Sequence, residues 1–312
     1  PELRFPEFEG EWEEKQLGNI IKVNSGKDYK HLDKGDIPVY GTGGYMTSVS
    51  EPLSEIDAVG IGRKGTINKP YLLEAPFWTV DTLFYCTPKK ETDILFILSL
   101  FRKINWKVYD ESTGVPSLSK QTINKINRFV PTNKEQQKIG KFFSKLDRQI
   151  ELEEQKLELL QQQKKGYMQK IFSQELRFKD ENGNDYPDWT NERLGEVTTV
   201  TMGQSPKSVN YTDNSNDTVL IQGNADIENG LINPRIYTRE VTKLIQKDEI
   251  ILTVRAPVGK LAMAQINACI GRGVCSIKGD KFLYYFLEWF ATQNKWIRFS
   301  QGVHLNLFQG MT

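Results

Sequence analysis

Apolar residues along this chain follow two rhythms. Between residues 135 and 172 they recur on alternating steps of four and three: Ile139, Phe143, Leu146, Ile150, Leu157, Leu160, Tyr167 and Ile171. Glu153 and Lys164 stand where that rhythm calls for two more apolar side chains. The stretch has no proline, and its glycines, Gly140 and Gly166, lie near its ends. It predicts one helix about 57 Å long whose apolar seam packs on a single partner helix, with the two polar breaks setting register. Elsewhere the apolar residues cluster in short β-type runs at 37–41, 57–61, 219–223 and 249–254, punctuated by glycine and polar turns. Helical spacing returns at 93–104 and 280–299. The fold class expected is α+β: two mixed α/β domains, 1–134 and 174–312, separated by a coiled-coil-type helix at 135–173.

The two domains carry one repeated frame. Glu-Leu-Arg-Phe stands at 2–5 and again at 175–178. Trp12 and Trp189, Leu17-Gly18 and Leu194-Gly195, and Gly26 and Gly203 then keep a constant offset of 177 residues. Further on, each copy offers an extended run ending in glycine (Gly41, Gly223), a second β-rich run and a short basic turn. That turn is Gly62-Arg63-Lys64-Gly65 in the first copy and Arg255 to Lys260 in the second. A repeat this long is a duplicated domain, not a solenoid unit.

At this point the sequence resembles the DNA specificity subunit of type I restriction–modification systems. The helix motif beginning Glu135-Gln136-Gln137-Lys138-Ile139, the lead-in Gly114-Val115-Pro116-Ser117-Leu118-Ser119 and the Glu-Leu-Arg-Phe…Trp…Leu-Gly start of each half carry the resemblance, which covers nearly the whole chain. It implies that each half is a target-recognition domain reading one part of a split double-stranded DNA sequence. It implies a cytoplasmic complex with two methylation subunits docked on the long helix, and a restriction subunit in the full assembly. S-adenosylmethionine would then belong to the methylation subunit, and ATP and magnesium to the restriction subunit, with no cofactor in this chain. The partner of the long helix would be a second, antiparallel helix following the second domain.

Charge refines the picture. Lys and Arg number 41 and Asp and Glu 40, a net charge of +1, so a nucleic-acid surface has to be local. Direct readers of base edges use Arg, Lys, Asn and Gln, with other donors on phosphates. The candidates are Arg63, Lys64 and Lys69 in the first half and Arg255, Lys260 and Arg272 in the second. The loops after the first glycine add Lys27 and Lys30, and Gln204 and Lys207, as phosphate contacts. Thr42 and Tyr45 belong to a flexible, aromatic-tipped loop. Each of these segments also reads as an ordinary solvated turn.

Enzyme signatures fail on their context. Gly41-Thr42-Gly43-Gly44 is not followed by the helix that a nucleotide loop requires. No methyltransferase Asn-Pro-Pro-Tyr, Walker loop or nuclease triplet occurs, and His31 and His304 have no metal partners at usable spacing. Cys86, Cys269 and Cys275 have no CxxC pattern and read as reduced structural thiols. The longest apolar runs fall short of a membrane span. A scaffold with two binding modules on a coiled-coil arm, and no DNA target, is the rival reading.

The two copies part at their ends. After Gly114-Val115 the first continues through Pro116 towards the helix, whereas residues 304–312 do not match that counterpart. One permitted coding of residues 303–312, read from its third base, restores a proline and a Ser-Ile-Ser opposite Ser117-Leu118-Ser119. The expectation is a frameshift near codon 303 and a subunit shortened before its second helix. Its exposed seam is expected either to self-associate through antiparallel helices or to rely on the methylation subunit's helices, and a shortened subunit acting as a dimer or an inhibitor is a further alternative. Pro1 is not a natural start, so a few leading residues are expected to precede it.

Overall fold

The computed structural model describes residues 3–293, and the chain divides into two compact units with the boundary between Lys156 and Leu157. The predicted helix α-pattern between the domains is therefore shared: it begins in the first unit and ends in the second.

The first unit is built on β1 (Glu13–Gln16), α1 (Leu17–Ile20), β2 (Ile21–Ser25), β3 (Lys34–Gly41), β4 (Gly44–Val49), β5 (Ala58–Gly62), β6 (Tyr71–Leu73), β7 (Trp78–Thr79) and β8 (Leu83–Pro88), followed by α2 (Ile94–Lys103), α3 (Lys120–Lys125), β9 (Asn127–Val130) and the start of α4 (Asn133–Phe172). Strands β2, β8, β5 and β6 form one antiparallel sheet in that order, and β4, β3 and β7 a second, with β3 and β7 parallel. β2 alternates, Ile21 and Val23 inward and Lys22 outward, because one face meets solvent. β5 is buried at all five positions, since it lies between two strands with both faces covered. α2 starts where Asp93 accepts a hydrogen bond from the Phe96 amide (2.9 Å), and carries Arg102 and Lys103 in its last turn. Its Phe96, Ile97 and Phe101 join Leu17, Ile21, Ile61, Trp106 and Ile123 in the main core.

In the second unit, α5 (Leu194–Val197), β10 (Val200–Met202), β11 (Tyr211–Thr212), β12 (Thr218–Ile221), β13 (Ile227–Glu228), β14 (Leu231–Ile232), β15 (Tyr237–Thr238), β16 (Leu244–Ile245), β17 (Ile250–Thr253), β18 (Leu261–Met263), β19 (Ala268–Ile270), β20 (Val274–Ile277) and α6 (Lys281–Thr292) follow. Its sheets run β10-β20-β17-β18-β14-β13 and β11-β15-β12-β19-β16. Asp280 caps α6 at the Leu283 amide (3.0 Å), as Asp93 caps α2. Residues 294–299 of the predicted final helix, Gly302-Val303, His304 and the divergent ending at 303–312 lie outside the described residues.

Backbone pairing makes the duplication exact over the shared frame. Gly26 donates to Leu83 and Lys27 to Thr79; Gly203 donates to Val274 and Gln204 to Ile270. The parallel pair Tyr40–Thr79 matches Ile221–Ile270, and the amides of Val80 and Gly271 close the same bond onto Tyr40 and Ile221. Gly26 and Gly203 are glycines for one reason. A Cβ at Gly26 would sit 2.0 Å from the Val80 carbonyl oxygen, and one at Gly203 2.1 Å from that of Gly271.

The long helix differs from its prediction in three ways. It starts two residues earlier, at Asn133. Ile139, assigned to a partner helix, packs against the first unit's own core. The cause is Gly140, where a Cβ would lie 2.6 Å from Asp93 Oδ1 and 2.9 Å from the Phe96 amide, so the helix rests directly on the start of α2. Lys164, a polar break expected to set register, instead pairs with Glu288 of α6 (2.8 Å) over the Tyr285 ring (5.0 Å). Phe143, Leu146, Ile150, Leu157, Leu160 and Tyr167 of the seam remain exposed.

Candidate nucleic-acid interface

In the first unit three predicted segments converge at one end of the main sheet. The loop after β2 is tied to the β7–β8 turn through the Gly26 and Lys27 amides, the latter at 2.8 Å from the Thr79 oxygen. The Arg63 amide meets the same turn at Thr82 (2.8 Å), and its guanidinium donates to the Asp81 carbonyl (3.4 Å). Arg63 also lies over the Phe84 ring (5.8 Å). Lys27, Lys30, Arg63 and Lys64 are exposed around this turn. The Thr42–Tyr45 segment is a tight hairpin tip joining β3 to β4, not a flexible loop, because β3 and β4 pair up to Gly41–Gly44. Tyr45 is exposed and stacks edge-on against Tyr40 (6.4 Å), whose carbonyl receives the Val80 amide, so the hairpin leans on the same turn.

The second unit repeats the arrangement. Gln204 is tied to Ile270, the Arg272 amide donates to Ser205 Oγ (3.1 Å), and Val254 closes onto Gly273 as Arg63 does onto Thr82. The offset in this region is 191 residues, so Lys64 corresponds to Arg255, and Arg63 to Val254. Arg272 takes the place of Asp81, which reverses the sign of the turn's charge between the copies. Gln204, Arg255 and Arg272 are exposed.

Lys69 and Lys260 are equivalent by the same register, two residues before β6 and one before β18, yet they differ in use. Lys69 is exposed. The Lys260 ammonium donates to the carbonyls of Ile227 (2.6 Å) and Asn224 (3.2 Å) and thus braces its own fold. The Lys207 amide donates to Glu240 (3.2 Å), whose carboxylate also takes Asn210. An anion at Lys207 would meet that carboxylate. One cation escaped sequence reasoning: Lys120, exposed at the start of α3, sits 6.0 Å over the Phe84 ring that Arg63 covers. Its place behind the Gly114–Ser119 lead-in was the available signal.

All three cysteines are buried and unbridged; burial pushes the Cys86 thiol up, and that of Cys275 to about 12, so neither forms a thiolate nucleophile. Among the described residues no group of three or more His, Cys, Asp or Glu could hold a metal ion, and no helix is long and apolar enough to cross a membrane.

A family model described as the type I restriction modification DNA specificity domain matches residues 9–162 and 186–309. A Methanocaldococcus jannaschii protein provisionally named the type I restriction enzyme MjaX specificity subunit is 31% identical over 211 residues, 63% of this chain and 50% of that protein. The type I restriction enzyme MjaVIII specificity subunit of the same organism is 26% identical over 260 residues, 75% of this chain and 58% of that protein. The chain thus spans about half the length of these curated relatives. Its fold is similar to that of a type I restriction–modification S subunit from M. genitalium, with TM-score 0.65 at 15% identity over 98% of this chain and 85% of the other. Two matched stretches, one in each copy of the repeat, account for most of the sequence, and the chain belongs to the type I restriction–modification DNA specificity domain family.

Proposed function

We propose that this chain is the DNA-recognition subunit of a type I restriction–modification complex, reading one half of a split duplex target with each domain. The observation that carries this reading is the repeated sheet end. Two copies of one hydrogen-bond frame each present a basic turn, a polar loop and a turn between parallel and antiparallel strands at the same place. The frame is constant while its side chains differ: Lys64 against Arg255, Asp81 against Arg272, Lys27 against Gln204. Constant geometry with variable polar tips is what reading two different base sequences requires.

The mechanism is positioning. Arg63, Lys64 and the Lys27–Lys30 loop engage one half-site, and Arg255, Arg272 and Gln204 the other, chiefly through the major groove. Lys260 serves the fold, and Lys207 is a weaker candidate beside Glu240. Methyl transfer and cleavage reside in partner subunits, which bring S-adenosylmethionine, ATP and magnesium. The exposed stripe Phe143, Leu146, Ile150, Leu157 and Leu160 is the docking face for helices of those partners or of another copy. The test is to copurify the full chain with the methylation subunits of its own system and sequence the duplexes methylated from a random library. A split consensus is expected. An intact complex that methylates without sequence preference would overturn the reading in favour of a scaffold.

A further inference from the structure

The lead-in motif between residues 114 and 119 is bound to the basic turn itself. Lys64 bridges to Ser117 in antiparallel register, the Gly65 amide donates to the Pro116 carbonyl (2.8 Å), and the Leu118 amide donates to the Arg63 carbonyl (2.9 Å). Residues 116–118 therefore grip the turn on both sides of Lys64. The grip is held in turn by acidic side chains that touch no cation of the turn. Asp110 Oδ1 accepts the amides of Ser117 (2.8 Å) and Ser112 (3.0 Å), and the Glu111 amide donates to the Ser117 carbonyl (3.0 Å). Glu111 Oε1 accepts Ser119 Oγ (2.8 Å) and Thr122 Oγ1, fixing the start of α3, which carries Lys120. The amides of Ser117 and Ser112 hold the Asp110 carboxyl below the usual range, and the Thr122 and Ser119 hydroxyls do so for Glu111, so both accept as anions at neutral pH.

We infer that Asp110 is a positioning residue for the first recognition site: it pins Ser117, and through the 116–118 segment it sets the geometry of Arg63 and Lys64. This rests on the proposed reading of that turn as a DNA contact. A carboxylate bonded to two backbone amides closes the neck of the 110–117 segment, and without it the segment loses the strand-like conformation that meets Lys64. The Arg63 and Lys64 amides keep their bonds to Thr82, so the turn stays folded while its side chains lose their outer wall.

The experiment compares D110A, D110N, K64A and R63A in the full chain copurified with its methylation subunits, using selection from a duplex library. D110A should reduce preference at the first half-site about tenfold, the scale of one base contact, and leave the second half-site unchanged. D110N, whose amide oxygen still accepts both amides, should restore most of it. Amide exchange at Gly65 and Leu118 should quicken in D110A and stay slow in D110N. If K64A alters the first half-site and D110A does not, the inference fails while the reading of the turn stands. If K64A and R63A both leave it unchanged, the reading fails and takes the inference with it. Equal losses at both half-sites in D110A would mark a general structural role and overturn the inference; should D110A not fold, unprotected Gly65 and Leu118 amides in the folded D110N would do the same.

Discussion

Glu135 is where three separated sequence motifs meet, and removing it tests that junction. Its carboxylate is 1% exposed and accepts Arg4 Nε (2.8 Å), Arg4 Nη2 (2.7 Å) and Trp12 Nε1 (3.2 Å). The Arg4 hydrogen bonds, assisted by that of Trp12 and opposed by burial, hold the carboxyl below its ordinary pKa. Breaking a fully buried pair costs about 3–5 kcal/mol. Arg4 keeps 21% exposure and regains water when its partner goes, so E135A should cost about 2–4 kcal/mol, including the orphaned indole N–H. At roughly 2–4 °C per kcal/mol for a unit of this size, the melting temperature of the first unit should fall by about 4–16 °C. The assay is calorimetry or urea unfolding of the full chain, with R4A and the double variant closing a cycle whose coupling should exceed about 1 kcal/mol. The pH dependence has a fixed sign. A lowered folded pKa stabilises fully above the unfolded value of about 4.3 and loses that contribution as pH falls through the folded value. The gap between E135A and the natural chain should therefore be full at pH 7 and narrow in acid. A coupling below about 0.5 kcal/mol, or a gap that widens in acid, would refute the argument.

Three further predictions follow from packing and exposure. Gly140→Ala forces a Cβ against Asp93, Leu95 and the Phe96 amide and should destabilise the first unit by about 1–3 kcal/mol in urea unfolding. Lys260→Met strips two carbonyls of their ammonium donor and should lower stability by about 1–2 kcal/mol while leaving the selected DNA sequence intact; Arg255→Ala, exposed in the equivalent turn, should do the opposite. Leu146→Glu with Ile150→Glu should leave unfolding within about 0.5 kcal/mol of the natural chain yet abolish copurification with methylation subunits, as seen by light scattering of the purified complex.

The periodicity of residues 135–172 and the 177-residue repeat made the long helix and the duplicated domains legible, since both depend on local spacing that any packing must respect. The glycine frame was legible too, because only a missing Cβ admits the Val80 and Gly271 carbonyls at Gly26 and Gly203. Composition alone could not reveal the roles of individual cations. Lys69 and Lys260 read alike, but only the Lys260 ammonium has the carbonyls of a 224–227 turn beneath it. The two basic turns matched only as turns, and strand register was needed to make Lys64, not Arg63, the counterpart of Arg255. Ile139 and Lys164 fitted the helical seam in sequence, yet each was claimed by its own unit, Ile139 by the first core and Lys164 by Glu288. Spacing along a helix fixes which residues share a face; what that face touches is decided by segments distant in sequence. The same holds for the site: the chain determined that basic turns exist in both halves, and only the tertiary pairing of residues 63–65 with 116–118 determined what holds one of them in place.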